Sequence, residues 1–168
     1  DFATNLADGW TAEGTTEPHD ERSRVRAAGS MDTTIADMGN FAAGYVSGQG
    51  LSASMRRELV RPQLPITTAS QFPTLQPELP VAQRRRNLAA GLGVVTFTGA
   101  QGAGFYKGGH DDAVGNTLVC VEQGQRCVVI LGNDVRAEAA FPALVRFVLG
   151  ETGVPWEWEY GATKAFVR

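Results

Sequence analysis

Pro62, Pro65, Pro73, Pro77 and Pro80 crowd one short stretch of the chain. Each fixes its own φ and removes a backbone donor, so neither a helix nor a central strand can run from Pro62 to Pro80. The stretch, carried on to residue 88, is expected to be an extended crossing of the surface. It either covers a substrate cleft or straps the body. It also divides the chain, with helical signals before it and β signals after.

Residues 1–29 hold few large apolar side chains and read as a loop-rich segment pinned by Phe2, Leu6 and Trp10. A helix follows. Thr34 is suited to cap it, with Asp37 three positions on completing a capping-box-like pair. Ile35, Met38, Ala42 and Tyr45 form its apolar stripe, and Gly48 and Gly50 end it. Ser52 caps a second, shorter helix that shows Met55 and Leu59 on one face and stops before Pro62.

After Leu88 the pattern becomes β-branched and aromatic. Leu92–Thr98 reads as a strand, Gly99–Gly104 as a turn, and Phe105-Tyr106-Lys107 as the start of the next strand. Asn116–Glu122 and Arg126–Leu131 are two more, joined through Gln123-Gly124 as a two-residue hairpin. That hairpin sets Cys120 opposite Cys127 in a hydrogen-bonded register with Cα atoms about 5.5 Å apart. A cross-strand disulfide and a pair of reduced core thiols both remain open. Arg136–Leu149 is a helix with Pro142 near its first turn or at a kink, and Val154–Trp158 is an aromatic tail folded back on the body.

These elements predict an α+β fold: an antiparallel sheet of about four strands, a C-terminal helix packed on it and two N-terminal helices. One helix covers one sheet face, so the pattern predicts a bare second face, to be completed by a missing N-terminal part of the same protein or by a second copy of the chain. A net charge of −3 argues against a nucleic-acid partner. The basic run Arg84-Arg85-Arg86 reads as a solvated loop. No apolar stretch reaches the ~20 residues of a membrane span. Neither a phosphate loop nor a dinucleotide fingerprint occurs, and His110-Asp111-Asp112 reads as a turn rather than a metal site, with Asp111 placed to orient His110. No cofactor is expected.

The order of several landmarks resembles that of the β-lactamase and penicillin-binding-protein-like serine hydrolases. Gly29-Ser30-Met31-Asp32-Thr33-Thr34-Ile35-Ala36-Asp37-Met38 is similar to a helix start of that family, and Leu51-Ser52-Ala53-Ser54 with Pro62-Gln63 to its following short helix. Gly91-Leu92-Gly93-Val94-Val95 resembles its "G-L-G" strand. Gly104-Phe105-Tyr106-Lys107-Gly108-Gly109-His110 falls where the third catalytic motif lies, and Val128-Val129-Ile130-Leu131-Gly132-Asn133-Asp134 resembles the last core strand. The likeness spans about Gly29 to Leu149, so residues 30–168 are expected to be the C-terminal part of such a domain.

The resemblance implies a partial β-lactamase/transpeptidase-like fold and an acyl-enzyme reaction on an amide or ester: a β-lactam, a D-amino-acid peptide or a small ester. Lys107 would supply a fixed cation, Gly109 room for the acyl group beside the strand, and His110 is the other residue able to carry the motif. Gly108 replaces the usual Ser or Thr, a departure that removes a hydroxyl donor. Ser-x-x-Lys, Tyr-x-Asn and Gly-x-Ser-x-Gly are absent, so the nucleophile is expected outside this chain, which alone should be inactive. A periplasmic or secreted location suits such a protein, with a cytoplasmic one as the alternative.

Overall fold

A computed structural model describes residues 5–19, 29, 31–161 and 166. Phe2, expected to pin the N-terminal segment, and Ser30 lie outside the described residues. The order is β1 (Gly9–Trp10), β2 (Thr16–Glu17), α1 (Ile35–Ser47), α2 (Ala53–Leu59), β3 (Leu64–Pro65), β4 (Leu88–Ala90), β5 (Val95–Gly99), β6 (Gly102–His110), β7 (Gly115–Val121), β8 (Arg126–Gly132), α3 (Phe141–Leu149) and α4 (Trp156–Tyr160). β1 and β2 make a small antiparallel ribbon. β3 to β8 form one six-stranded antiparallel sheet, with neighbours in order of sequence. The class is α+β, and the sheet is larger than the four strands expected. No described helix is long and apolar enough to cross a membrane.

The two extra strands lie in and at the end of the proline-rich crossing. β3 pairs with β4 through Leu64↔Ala90 and Pro65↔Ala89. Pro65 is tolerated because β3 is the outermost strand, where a missing donor leaves no ladder bond broken. β5 begins later than expected. Gly93, at φ +80°, lets the chain turn between Gly91 and Val94, and the Gly91 amide donates to the Val94 carbonyl at 2.8 Å. The next turn is shorter than expected: Gly99 pairs with Gly102, so β6 already includes Gly102-Ala103-Gly104.

Both caps form. Thr34 Oγ1 accepts from the Asp37 amide at 3.1 Å and donates to Asp37 Oδ2 at 2.9 Å, and Ser52 Oγ accepts from the Met55 amide at 3.2 Å. Within α1 the buried positions are Ala42 and Val46, while Ile35 stands exposed. Val46 sits four residues after Ala42 on the same face, so the buried stripe lies further along the helix than the spacing from Ile35 suggests.

That stripe changes the expected architecture. Ala42 and Val46 pack with Val94, Phe105, Leu118 and Cys120 on one face of the sheet. Val145 and Leu149 of α3, with Val154 and Trp158, pack with Leu88, Phe97, Tyr106, Val119 and Val121 on the other. Helix thus covers sheet on both sides. The bare second face does not exist over β7 and β8, because α1 closes it. The expected C-terminal helix is split: a 3₁₀ segment, Val135–Ala140, precedes α3, and Pro142 falls in the first turn of α3, where no donor is lost. The aromatic tail does fold back, with α4 burying Trp158, Glu159 and Tyr160.

Cys120 and Cys127 are bridged, with Cα atoms 4.1 Å apart. The register Cys120↔Cys127 is as expected, but β7 ends at Val121 and β8 starts at Arg126. The spacing is that of the closer, non-hydrogen-bonded class of pair rather than the 5.5 Å class.

Candidate functional site

The sheet is out of step at one place. β5 starts at Val95, opposite Tyr106, whereas β6 runs on to His110. Lys107, Gly108, Gly109 and His110 therefore pair with β7 alone, through Leu118, Thr117, Asn116 and Gly115. Backbone bonds tell which way their polar groups point. The Glu122 amide donates to Ala103 O at 2.9 Å and the Asp111 amide to Val114 O at 3.1 Å, so odd-numbered positions around β6 bond toward β7. The N–H and C=O of Gly108 and His110 alternate with them and face the opposite edge, beyond the start of β5.

A cavity of about 220 Å³ occupies that gap, lined by Gln71, Gly91, Gly93, Val94, Val95, Lys107, Gly108 and Glu159. Gln71 comes from the proline-rich crossing, held by the hydrogen bond its backbone N–H donates to Trp158 O at 2.9 Å, and the Phe72 ring lies 6.3 Å from the His110 ring. The crossing thus reaches the gap at Gln71 and Phe72.

Lys107 is exposed and its Nζ donates to the Gly108 carbonyl, which fastens the cation to the open edge. At Gly109 an added Cβ would meet nothing within 4 Å, so the space expected there exists. Gly108 is different. An added Cβ would overlap Glu159 Oε1 and lie 2.5 Å from Cδ. Glu159, 3% exposed, fills the volume that a side chain at 108 would need.

His110 is an exposed residue whose side chain is 27% exposed, with its Nδ1 3.3 Å from Oε1 of the wholly buried Glu138 and its ring edge-on to Tyr160 at 5.5 Å. Asp111 does not orient it. Asp111 Oδ1 instead accepts from the Ala113 and Val114 amides at 2.9 and 2.8 Å and shapes the β6–β7 turn. A carboxyl group this close to Nδ1 is charge-complementary to the ring when the histidine is protonated. Gly115 allows it, because a Cβ there would sit 2.5 Å from Glu138 Cγ.

Between the two acids lies a buried polar layer. The Tyr160 hydroxyl donates to Asn116 O at 2.8 Å, and the Tyr106 hydroxyl faces the Glu159 carboxyl without meeting hydrogen-bond geometry. Burial pushes the Tyr106 and Tyr160 hydroxyls well above the usual phenol range, which keeps both neutral. Burial likewise raises the Glu159 carboxyl, opposed by the charge of Lys107.

The native state therefore holds the Glu159 proton more tightly than the unfolded chain does. Stability from this group is complete below the ordinary carboxyl range and is lost as pH rises through its raised native value. Glu159→Gln is expected to match the parent chain in acid and to exceed it at pH 8, in paired urea melts. A parent chain that gains on the variant as pH rises would contradict this assignment.

Sequence reasoning put Lys107 near the start of a strand and read His110-Asp111-Asp112 as a turn; instead Lys107, Gly109 and His110 all lie in the last part of β6, which begins at Gly102 and ends at His110. It missed Glu138, Glu159, Tyr106 and Tyr160. The one signal was Gly108, a motif position emptied of its side chain. Fold and site together define an α+β protein with a gap beside the free end of β6, lined by one lysine, Lys107, and one acid, Glu159. In comparisons with known proteins the chain matches no family model, no curated protein and no solved structure.

Proposed function

We propose that this chain is the C-terminal portion of a serine acyl-enzyme hydrolase acting on an amide or ester, with a β-lactamase-like fold, its nucleophile supplied from outside these residues. The observation that carries this reading is the open edge of β6 beside Lys107. An acyl compound lying along that edge meets the Gly108 N–H and C=O as a strand would, with room at Gly109. Lys107 adds a fixed positive charge in a partly desolvated gap, where stabilisation of developing negative charge is stronger than in water. His110, the last residue of β6, brings an imidazole beside Glu138 to the same strand end. The order of sequence landmarks supports the same reading, and the disulfide suits an oxidising compartment, periplasmic or secreted.

In the protein from which this chain comes, a fluorophosphonate ester is expected to label a serine outside residues 1–168. Lys107→Ala is expected to slow labelling about 100-fold with circular dichroism unchanged. Labelling of a serine inside residues 1–168, or a rate indifferent to Lys107, would sink the reading.

One feature favours a second reading, a non-catalytic module that self-associates. β8 is the last strand of the sheet, and its Cys127-Val128-Val129-Ile130-Leu131 run leaves one edge unpaired among the described residues. An apolar edge of this kind pairs readily with another strand. Concentration-dependent dimerisation in sedimentation runs, abolished by Val129→Pro, would favour it.

A further inference from the structure

A second cavity, of about 770 Å³, is framed by α2, by β4 and β5 and by the last part of the proline-rich crossing. It shares no lining residue with the gap beside β6. Although the chain carries a net charge of −3, six of its fifteen lysines and arginines line this one cavity. Arg56, Arg57 and Arg61 come from α2 and the residues just after it, and Arg84, Arg85 and Arg86 from the crossing. Three of these charges are matched: Arg56 by Glu122 at 2.6 Å, Arg61 by Glu58 at 2.7 Å and Arg84 by Glu78 at 2.7 Å. Three have no carboxylate among the described residues. Arg85 donates to the Thr68 and Ala69 carbonyls at 3.4 Å, while Arg57 and Arg86 stand exposed with neither an ion pair nor a hydrogen bond. The basic run expected as a solvated loop is thus partly inside, with Arg84 and Arg85 half-buried. Beside these charges the cavity surface is chiefly apolar. Val81 is 69% exposed, Pro62 and Pro65 are exposed, and Val60 and Ile66 are half-buried, so their carbon surface is within reach of a ligand.

We propose that this cavity binds a free amphiphilic anion, a hydrocarbon body ending in a phosphomonoester. The proposal is independent of the open-edge reading of β6. A volume of this size falls within the range of about 300–1,000 Å³ typical of small-molecule sites, which favours one compact ligand over a macromolecular partner. A neutral hydrocarbon would leave three guanidinium charges unanswered. A purely polar polyanion would leave the apolar lining in water, at about 25 cal/mol for each Å² not covered. An amphiphile answers both. Its head is better a phosphomonoester than a carboxylate, because the phosphate brings a charge of about −1.5 to −2 at neutral pH against a surplus of three cations. Guanidinium forks also match phosphate oxygens two at a time, and arginine stays charged throughout the ordinary pH range.

The test titrates the ¹⁵N-labelled chain at pH 7 with octyl phosphate, kept below its micelle concentration. The Val60, Ile66, Asn87 and Ala89 amide resonances report on the cavity, and those of Gly108 and Gly109 on the separate gap beside β6. Inorganic phosphate supplies the head alone, and octyltrimethylammonium the same tail with the opposite charge. Octyl phosphate is expected to bind about tenfold more tightly than either, or better. Arg57→Gln with Arg86→Gln, both exposed and unpaired, is expected to weaken it about tenfold with the rest of the spectrum unchanged. Arg126→Gln with Arg146→Gln removes the same charge elsewhere and is expected to change the affinity by less than about twofold. Inorganic phosphate binding as tightly would reveal a plain anion site, and equal binding of the ammonium compound a plain apolar one; either overturns the proposal. An equal loss in both double variants overturns it too, as do resonances that stay still in the cavity. Sedimentation of the ligand-free chain covers the remaining occupant. A dimer broken by the Arg57 and Arg86 changes would show that a second copy fills the cavity, and would overturn the proposal as well.

Discussion

Gly108→Thr is expected to destabilise the chain by about 3 kcal/mol, read as a lower urea midpoint at unchanged slope. A Cβ at 108 would lie on Glu159 Oε1 and 2.5 Å from Cδ, and Glu159 sits in α4 at 3% exposure, with little room to withdraw. Glu159→Gly in the same chain should return at least half of the loss, because it empties the volume in dispute. The two changes touch one another, so their energies should not add. A Gly108→Thr variant within about 0.5 kcal/mol of the parent would mean that Glu159 does not occupy this space. Restoring the hydroxyl found in the resembling family is thus expected to harm this protein.

The second large effect concerns the face that the sequence left open. Phe105 is completely buried, with its ring 5.1 Å from that of Tyr45 in α1. Phe105→Ala should cost about 3–5 kcal/mol, from lost transfer energy and the cavity left behind. Amide exchange in α1 should rise with it, because Ala42 and Val46 belong to the same apolar cluster. Phe147→Ala is the control. That ring is 90% exposed on α3, and its loss should change stability by no more than about 0.5 kcal/mol. If the two substitutions cost the same, α1 is not docked as described.

The pattern of elements was legible where local chemistry decides it. Thr34 and Ser52 cap as their side chains allow, and the alternation from Asn116 onward gave the last two strands to within a residue or so. What failed was what depends on partners distant in the chain. β3 is invisible in Leu64-Pro65, since only the presence of β4 alongside makes it a strand. The bare face was inferred from counting helices against sheet faces, and periodicity alone cannot say which layer α1 joins. For the site, Lys107, Gly109 and His110 were readable as a motif on one strand. Glu138 and Glu159 were not, because carboxylates beside apolar neighbours read as solvent-facing. Asp111 was the near neighbour in sequence and the wrong partner in space. The carboxyl nearest the His110 ring among the described ion pairs comes instead from twenty-eight positions on, brought close by the 3₁₀ segment before α3.

The order of the sheet bears on how the chain assembles. Because β3 to β8 lie side by side as they occur in sequence, most strand contacts close over short loops, and hairpins such as β5–β6, β6–β7 and β7–β8 can zip without a wide search. The expensive closures are few. α1 must find β8 across nearly the whole sheet, and the Gln71 segment must reach back from beyond β3 to α4. Sheet pairing should therefore precede helix docking, so the gap beside β6 is framed early by its strands and acquires its acidic floor only when α4 settles.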